Sequence, residues 1–365
     1  MKQFSTYVIV LALTTVLSTH SVLPQCEITV GKGQPATEWN DQFTQNGPGW
    51  TGGDTTVSIE LPNGNSAFFF SDSYIAEDPA KPGDGAVYTN ENGLRMRKPN
   101  CIPPICGPAP EVIHYVYNSV VVRSKDGKTL RTLTGEKDKN GYSTAYFKPK
   151  SSDPNHMYWL GDPIVVDVDG KKKIWMFLNE WDVARPFDKS FWIRYRAQAI
   201  AQMDAETLEI EKIVDLKNKT DEAVWGISLW LNDRGELFIY GMRNEGDIKT
   251  AKKSTLAMAD KYKKLYIAKV DATKGPEHAV DLKNWTAWDG KTFSKNLNSR
   301  KSIIPEKDSI SDELTVRRLN IGGKPTFVIV TFDTSVGYAD WKDLYMHSAC
   351  EPQGPFTTKH HFYTT

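Results

Sequence analysis

Short apolar runs, many with polar residues at every second position, recur along most of the chain and predict β-strands. Only Ala251–Lys263 and Asp204–Glu211 have the residue spacing of a helix, and both segments are short. The pattern therefore predicts an all-β protein. The predicted strands are Val57–Leu61, Ala67–Ser71, Ser119–Arg123, Ile164–Val168, Lys173–Leu178, Ile227–Leu231, Leu237–Tyr240, Leu265–Val270, Leu314–Leu319 and Thr326–Thr331.

Four pairs of these strands are separated by short turns, and further strands follow each pair. The turns contain Gly, Asn and Asp, which tolerate a positive φ angle and are typical of β-hairpins. Four-stranded antiparallel sheets that repeat in this way around an axis form a β-propeller, and a β-sandwich is the alternative. The turns are Pro62–Asn65, Asp169–Gly170, Asn232–Gly235 and Gly322–Lys324.

An acidic or aromatic residue precedes the first strand of each of the four units. A sandwich does not require such a match, whereas a propeller places the first strand of every blade at its central channel. The repeat therefore predicts a carboxylate-lined pocket on one axis. Only four blades can be counted, and Cys26–Trp50 can supply a strand or two to a closing blade. The matched residues are Asp54, Asp162, Trp225 and Glu313.

A resemblance to a known family rests on seven runs in a fixed order: GWTGGDTTVSIELPNGNSAFFFSDSYI, YNSVVV, YWLGDPIVVDVDGKKKIWMFL, WGISLWLNDRGELFIYG, KLYIAKV, SDELTV and PQGPF. Together they resemble secreted five-bladed β-propellers of largely uncharacterised domains, a family that includes endo-D-arabinanases. That family is more distantly similar to arabinanases, xylosidases and invertases. The resemblance covers roughly Trp39 to Phe356 and implies a five-bladed propeller with glycosidase chemistry on a furanose-rich polysaccharide.

The chain departs from the family pattern in two places. Ser71-Asp72-Ser73 stands where the family usually has Gly-Asp-Thr. The chain also ends before the last blade of the family would be complete, so an incomplete last blade is expected. Residues 26–365 are expected to form a single propeller domain.

Glycoside hydrolysis needs two carboxyl groups on either side of the scissile bond. Asp54 is the predicted base or nucleophile, because it follows two glycines that allow close approach and it opens the first inner strand. Asp72 ends the returning strand, so it should lie beside Asp54, and two close carboxylates raise one of the two pKa values. Asp162 is a predicted partner carboxylate or a group that tunes the acid, and Glu313 is a candidate general acid. Each has a plain alternative as a turn, junction or rim residue.

Three further residues are predicted to contact sugar. Asn118 begins a strand beside the same rim and could bond a hydroxyl, although it could equally satisfy a turn. Trp159 lies just before Asp162, and Trp225 occupies the third matched position. Both tryptophans could stack on a sugar face, and a core position for Trp225 is an equal alternative.

The composition narrows the choice of partners. Lys plus Arg and Asp plus Glu number 45 each, so no net charge draws the protein to nucleic acid or to an anionic membrane. No metal centre is predicted, since the cysteines and histidines lack ligand spacing, but a structural Ca²⁺ is compatible with so many carboxylates. No cofactor is expected, and the protein is expected to be a monomer that binds a glycan.

Residues 1–21 are predicted to be a secretory signal peptide, because a lysine precedes an apolar stretch too short to span a bilayer. A membrane anchor is the alternative. The four cysteines allow three pairings, of which Cys101 with Cys106 and Cys26 with Cys350 are favoured. The sequence thus predicts a secreted glycoside hydrolase for an arabinan-like polysaccharide. The alternatives are a lectin-like propeller without catalysis and a scaffold that binds a protein partner.

Overall fold

The computed structural model describes residues 26–37, 39, 43, 49–76, 87–89, 95–97, 114–139, 141–153, 155–182, 194–219, 223–245, 263–332 and 342–364. Within these ranges the regular secondary structure is almost entirely β-strand, as the apolar alternation predicts. The predicted signal peptide and the Cys101–Cys106 pair lie outside the described residues. So does the predicted helix Ala251–Lys263, except that Lys263 begins a strand.

The first part of the chain forms three antiparallel sheets. The strands are β1 (Gly49–Gly53), β2 (Thr56–Glu60), β3 (Ser66–Phe70), β4 (Ser73–Ala76), β5 (Val87–Thr89), β6 (Arg95–Arg97), β7 (His114–Val116), β8 (Ser119–Arg123) and β9 (Thr129–Leu133). Sheet 1 has the order β2-β3-β8-β9, a smaller sheet that we call the upper sheet has the order β1-β4-β7, and β5 pairs with β6.

The rest of the chain forms three more antiparallel sheets, each from consecutive strands. Sheet 2 contains β10 (His156–Val168), β11 (Lys171–Asp182), β12 (Arg194–Asp204) and β13 (Ile210–Asp215). Sheet 3 contains β14 (Val224–Leu231), β15 (Glu236–Asn244), β16 (Lys263–Asp271), β17 (Thr286–Trp288) and β18 (Phe293–Ser294). Sheet 4 contains β19 (Leu314–Ile321), β20 (Lys324–Phe332), β21 (Asp343–Ala349) and β22 (His360–Thr364). The short helices are α1 (Pro276–Ala279) and the 3₁₀ turns Ala272–Lys274, Leu282–Asn284 and Leu297–Ser299.

Successive sheets pack face to face. Neighbouring residues of a strand point to opposite faces, so one strand contributes side chains to two interfaces. In β11, Met176 packs toward sheet 1 in a cluster that includes Phe69, while the next residue, Phe177, packs toward sheet 3. A further cluster joins sheets 3 and 4 and contains Tyr240 and Ile329. Each interface between consecutive sheets is therefore an apolar layer, and the middle sheets are buried on both faces.

The first strands of the four sheets lie side by side. β2 contacts β10, β10 contacts β14, and β14 contacts β19. The approach of β10 to β14 depends on glycine, since a Cβ on Gly161 would lie 2.4 Å from the carbonyl oxygen of Gly226. This succession of sheets with adjacent first strands is the order of β-propeller blades. Closure of the ring and a fifth blade remain predictions.

The predicted strands are confirmed, and several run further than the apolar pattern indicated. The predicted helix at Asp204–Glu211 is wrong, because this segment is the turn between β12 and β13 and then part of β13. The Asp204 side chain accepts hydrogen bonds from the backbone of Glu206 and Thr207, and Leu208 has a φ of 67°. Local capping of this kind competes with a helix.

The favoured bond between Cys26 and Cys350 is present and joins residues 324 positions apart. Nearby, the amide of Gly33 donates to the carbonyl of Phe362 at 2.7 Å, so the N-terminal segment follows the outer strand of sheet 4. In the parts of the chain that the structure describes, no helix has both the length and the apolar character needed to cross a membrane.

Candidate active site

Asp54 lies at the junction of the upper sheet and sheet 1. Its amide donates to the carbonyl of Asp72 at 2.8 Å, and its carbonyl accepts from the amide of Ser71 at 3.0 Å. Gly53 makes this approach possible, because a Cβ there would lie 2.8 Å from the Asp72 carbonyl oxygen. The Asp54 side chain is exposed, and its Oδ1 accepts from the amide of Thr55 at 2.7 Å. The structure therefore places Asp54 and Asp72 side by side, with Asp54 open to solvent.

The carboxyl group of Asp72 is held by aromatic donors. Trp159 Nε1 donates to its Oδ1 at 3.0 Å, and the Tyr115 hydroxyl also donates to it. Burial raises the pKa of Asp72, and the negative charge of Asp54 raises it further, while the two donors lower it. Burial and the charge of Asp72 in turn raise the pKa of the Tyr115 hydroxyl. Asp72 is thus a fixed carboxyl group that gains protons more readily than a free aspartate.

Glu313 reaches the same place from sheet 4. Thr55 Oγ1 donates to Glu313 Oε1 at 3.1 Å, which joins the start of sheet 1 to the start of sheet 4. Although Glu313 is open to solvent, the protein atoms around its carboxyl group partly desolvate it and raise its pKa. The charge of Asp54 raises this pKa further, and the Thr55 hydroxyl lowers it. Thr55 has a φ of 46°, an uncommon conformation for a β-branched residue that is typical of functional sites.

Three of the four predicted carboxyl groups therefore come together. Asp54 acts electrostatically on both Asp72 and Glu313, and in both cases its charge favours the protonated form of the neighbour. Carboxyl groups in such proximity separate into one that stays ionised and one that holds a proton, which is the division of labour in acid–base catalysis.

Asp162, the fourth predicted carboxylate, lies in a closed network of its own. Its two oxygens form a bidentate ion pair with Arg317, at 2.8 Å and 3.0 Å. It also accepts from the Ser228 hydroxyl at 3.1 Å and from the Leu229 amide at 2.8 Å. The residue is only 1% exposed. Asp162 therefore ties together the first strands of sheets 2, 3 and 4, and this geometry favours a structural role over the predicted partnership with Asp54.

Two of the three residues predicted to contact sugar instead make contacts within the protein. Asn118 is fully buried, and its side-chain amide bonds the carbonyls of Phe147 and Tyr158 and the amide of Phe147. Trp225 lies in the apolar layer between sheets 2 and 3, with its ring 5.5 Å from that of Trp285. Neither residue offers a free surface to a sugar, because each already fills a packing or hydrogen-bonding role.

Trp159, the third, does lie at the carboxylates, since it donates to Asp72 and remains partly exposed. Two residues of the site were missed by the sequence analysis, Tyr115 and Thr55. The alternation in HYVY places Tyr115 and Tyr117 on one face of a strand, which was a usable signal. Thr55 gave no signal, because its role depends on contact with a residue 258 positions away.

The arrangement suits proton transfer to and from a bound substrate. It provides an open carboxylate, a second carboxyl group with a raised pKa that faces solvent, and a third that is fixed by two donors. No group of three or more His, Cys, Asp or Glu side chains in the described ranges has the geometry to hold a metal ion. A structural Ca²⁺ remains a prediction.

The fold is shared with a protein from Bacteroides ovatus ATCC 8483 that is described provisionally as a hydrolase. The two are 17% identical, the alignment covers 90% of this chain and 73% of the other, and the TM-score is 0.59. At this identity the likeness establishes a common fold alone.

Two glycosidases show a more distant likeness. A family 43 arabinoxylan arabinofuranohydrolase from Bacillus subtilis is 12% identical, with 85% of this chain and 52% of the other aligned and a TM-score of 0.43. An α-L-arabinanase from Penicillium chrysogenum is 10% identical, with 84% and 92% aligned and a TM-score of 0.34. Scores this low bear on neither fold nor function.

Comparison with curated proteins gives no match. The model of the domain of unknown function DUF5005 matches residues 109–365, which include sheets 2, 3 and 4 and the last two strands of sheet 1. Because this match spans more than half of the sequence, the chain belongs to the DUF5005 family.

Proposed function

We propose that the protein is a secreted glycoside hydrolase that cleaves an arabinan-like polysaccharide. Its active site would contain the carboxyl groups of Asp54, Asp72 and Glu313. The observation that carries the proposal is the convergence of these three carboxyl groups from the first and fourth sheets. Asp54 is open and raises the pKa of both neighbours. Secretion is supported by the apolar stretch near the N-terminus and by the Cys26–Cys350 bond, since disulfides persist in oxidising compartments.

Glu313 is the best placed of the three to act as the general acid. It is open to solvent, and the one hydrogen bond to its carboxyl group among the described residues comes from Thr55, which leaves the other oxygen for a substrate. Its raised pKa keeps a proton on the group to higher pH than in a free glutamate. In the reaction, the Glu313 carboxyl group protonates the glycosidic oxygen as the bond to the anomeric carbon breaks.

Asp54 acts on the opposite side of the bond. As a base it takes a proton from the water that attacks the anomeric carbon, and as a nucleophile it attacks that carbon directly. The anomer released first, read by NMR, distinguishes these two routes. Asp72 acts through its fixed position, because Trp159 and Tyr115 hold its carboxyl group beside Asp54.

The test is the release of reducing ends from arabinan, arabinoxylan, xylan and bacterial and fungal wall polysaccharides. The wild type should release them from at least one furanose-rich polymer. Asp54→Asn should reduce the rate at least about a hundredfold, which is the usual contribution of one acid–base group. The variant should retain its fold and its binding to the polymer, because Asp54 is exposed.

A lectin-like function gives a different result. In that case the wild type releases no reducing ends from any polymer, while binding to a glycan survives Asp54→Asn. A scaffold for another partner would neither bind nor cleave any of these polymers.

A further inference from the structure

Three aromatic side chains form a row that begins at the proposed active site. Trp159 of β10 lies 5.4 Å from Trp181 of β11, and Trp181 lies 5.5 Å from Tyr195 of β12, measured between ring centroids. We call these three residues the aromatic row. Its first member donates to Asp72.

The strand register explains why the three rings share one face of sheet 2. Trp181 pairs directly with Tyr195 across β11 and β12. Trp159 pairs with Asn179, two residues before Trp181, which places it diagonally across from Trp181 on the same face. The row therefore leads from the inner strand outward across the part of sheet 2 that extends beyond Asp162.

The row differs from the core pair Trp175 and Trp285 in exposure, and Trp181 differs from this pair in hydrogen bonding. Its three members are partly exposed, whereas Trp175 and Trp285 are fully buried. The indole nitrogens of the core pair donate to Gln202 and to the carbonyl of Ala279. Trp181 Nε1, in contrast, has no acceptor among the described residues. A buried donor without an acceptor is rare in a native protein, and among the described residues Trp50 Nε1 is the one other indole nitrogen in this state.

We propose that the aromatic row is a polysaccharide-binding subsite that holds the sugars next to the cleaved bond, an inference that rests on the proposed function. The apolar face of a sugar ring packs against the flat face of an aromatic ring, and sugar hydroxyls are acceptors for an indole N–H. The row starts at a carboxyl group of the active site and continues across three adjacent strands, as a binding path for a chain of sugars requires.

The test compares binding of a long and a short ligand. The Asp54→Asn protein serves as the parent, so that the ligand is not consumed. The ligands are soluble arabinan, arabinoxylan and xylan in affinity electrophoresis, together with a disaccharide from whichever polymer binds. Trp181→Ala should weaken binding of the polymer about tenfold, the equivalent of one good aromatic contact. Binding of the disaccharide should not change, because it reaches only the carboxylates.

Three controls separate this role from structural damage. Trp181→Phe keeps a ring and should recover most of the polymer binding. Trp181→Leu keeps apolar volume without a ring and should bind as weakly as Trp181→Ala while unfolding at the temperature of the parent. Trp288→Ala removes another partly exposed tryptophan, which packs on Phe293 in sheet 3 outside the aromatic row, and should bind normally.

The inference fails alone if the wild type cleaves a polymer but Trp181→Ala binds that polymer as tightly as the parent. It also fails if the variant loses the disaccharide and the polymer equally. A parent that binds a proline-rich peptide and none of the polysaccharides overturns it as well. The proposed function fails separately, when the wild type releases no reducing ends from any polymer.

Discussion

Asp54 and Asp162 both follow a glycine, but Asp54 lies just before β2 whereas Asp162 lies within β10 at a break in its register, and their surroundings are opposite. Asp162 is 1% exposed, and its carboxylate is satisfied by a bidentate arginine, a hydroxyl and an amide. Asp54 is exposed and is flanked by two other carboxyl groups whose pKa values it raises. Asp162 thus joins neighbouring sheets through its ion pair and hydrogen bonds, whereas Asp54 presents an exposed carboxyl group.

The difference teaches that the neighbours, and not the repeat, decide what such an aspartate does. Arg317 reaches Asp162 from β19 and neutralises it, so its charge is compensated and the first strands of three sheets are joined. Asp54 instead lies near Glu313, from the same region of sheet 4, and no ion pair of Asp54 with a cation is found among the described residues. Uncompensated charge is unfavourable for stability and useful for proton transfer.

The largest expected effect separates the two aspartates by stability. Asp162→Asn should lower the free energy of unfolding by roughly 3 kcal/mol, because it leaves the paired Arg317 without its counter-charge. Asp54→Asn should change it little, since the side chain is exposed. Urea denaturation of both variants measures the difference. Equal midpoints for the two would show that the ion pair is not what distinguishes these sites.

The second prediction concerns the packing of β14 in sheet 3 against Phe177 of β11 in sheet 2. Gly226→Ala should cost roughly 2–3 kcal/mol, because the new Cβ would lie 2.1 Å from the ring of Phe177 and the chain has a φ of 80° there. Gly170→Ala is the matched control, with a φ of 74° and nothing within 4 Å of the added Cβ. A similar loss in both variants would assign the cost to the backbone angle and not to the close approach of the strands.

The third prediction tests the hydrogen bond that joins sheets 1 and 4. Thr55→Val keeps the branched shape but removes the hydroxyl that lowers the pKa of Glu313. The alkaline limb of the pH–rate profile should therefore move to higher pH by less than about one unit. Thr55→Ser keeps the hydroxyl and should leave the profile in place. Identical profiles for the two variants would remove Glu313 from the role of acid.

The smallest expected effect is on the pH dependence of stability. Because the pKa of Glu313 is raised by folding, the folded protein binds this proton more tightly than the unfolded chain, and stability is lost as pH rises through the folded pKa. Glu313→Gln removes that loss. Its melting temperature relative to the wild type should therefore be higher at pH 7 than at pH 4.

Glu236 provides the control of opposite sign. Its pKa is lowered by hydrogen bonds from Lys269 and Asn232, so it stabilises the fold above its unfolded pKa. Glu236→Gln should therefore be less stable than the wild type at pH 7, with the difference shrinking toward acid pH. The same pH trend in both variants would contradict the assigned direction for Glu313.

The strands and the pairing of Asp54 with Asp72 could be predicted from sequence because they depend on local pattern. Alternation fixes the strand faces, and a hairpin returns Asp72 to the rim where Asp54 begins. Glu313 was also predicted, from the repeat. The partner of Asp162 was not, because Arg317 is 155 residues away and its run, LTVRRL, does not show which carboxylate it meets. Trp225 was equally ambiguous, since an aromatic residue before a strand fits a core position as well as a sugar contact.

The most direct measurement is the crystal structure of the Asp54→Asn protein with an oligosaccharide of the polymer that the wild type cleaves. We expect a glycosidic oxygen within about 3.2 Å of the Glu313 carboxyl group, and the anomeric carbon on the side of residue 54. An oligosaccharide bound away from Glu313 and Asp72, with Asp162 still paired to Arg317, would contradict the assignment of these carboxylates to hydrolysis.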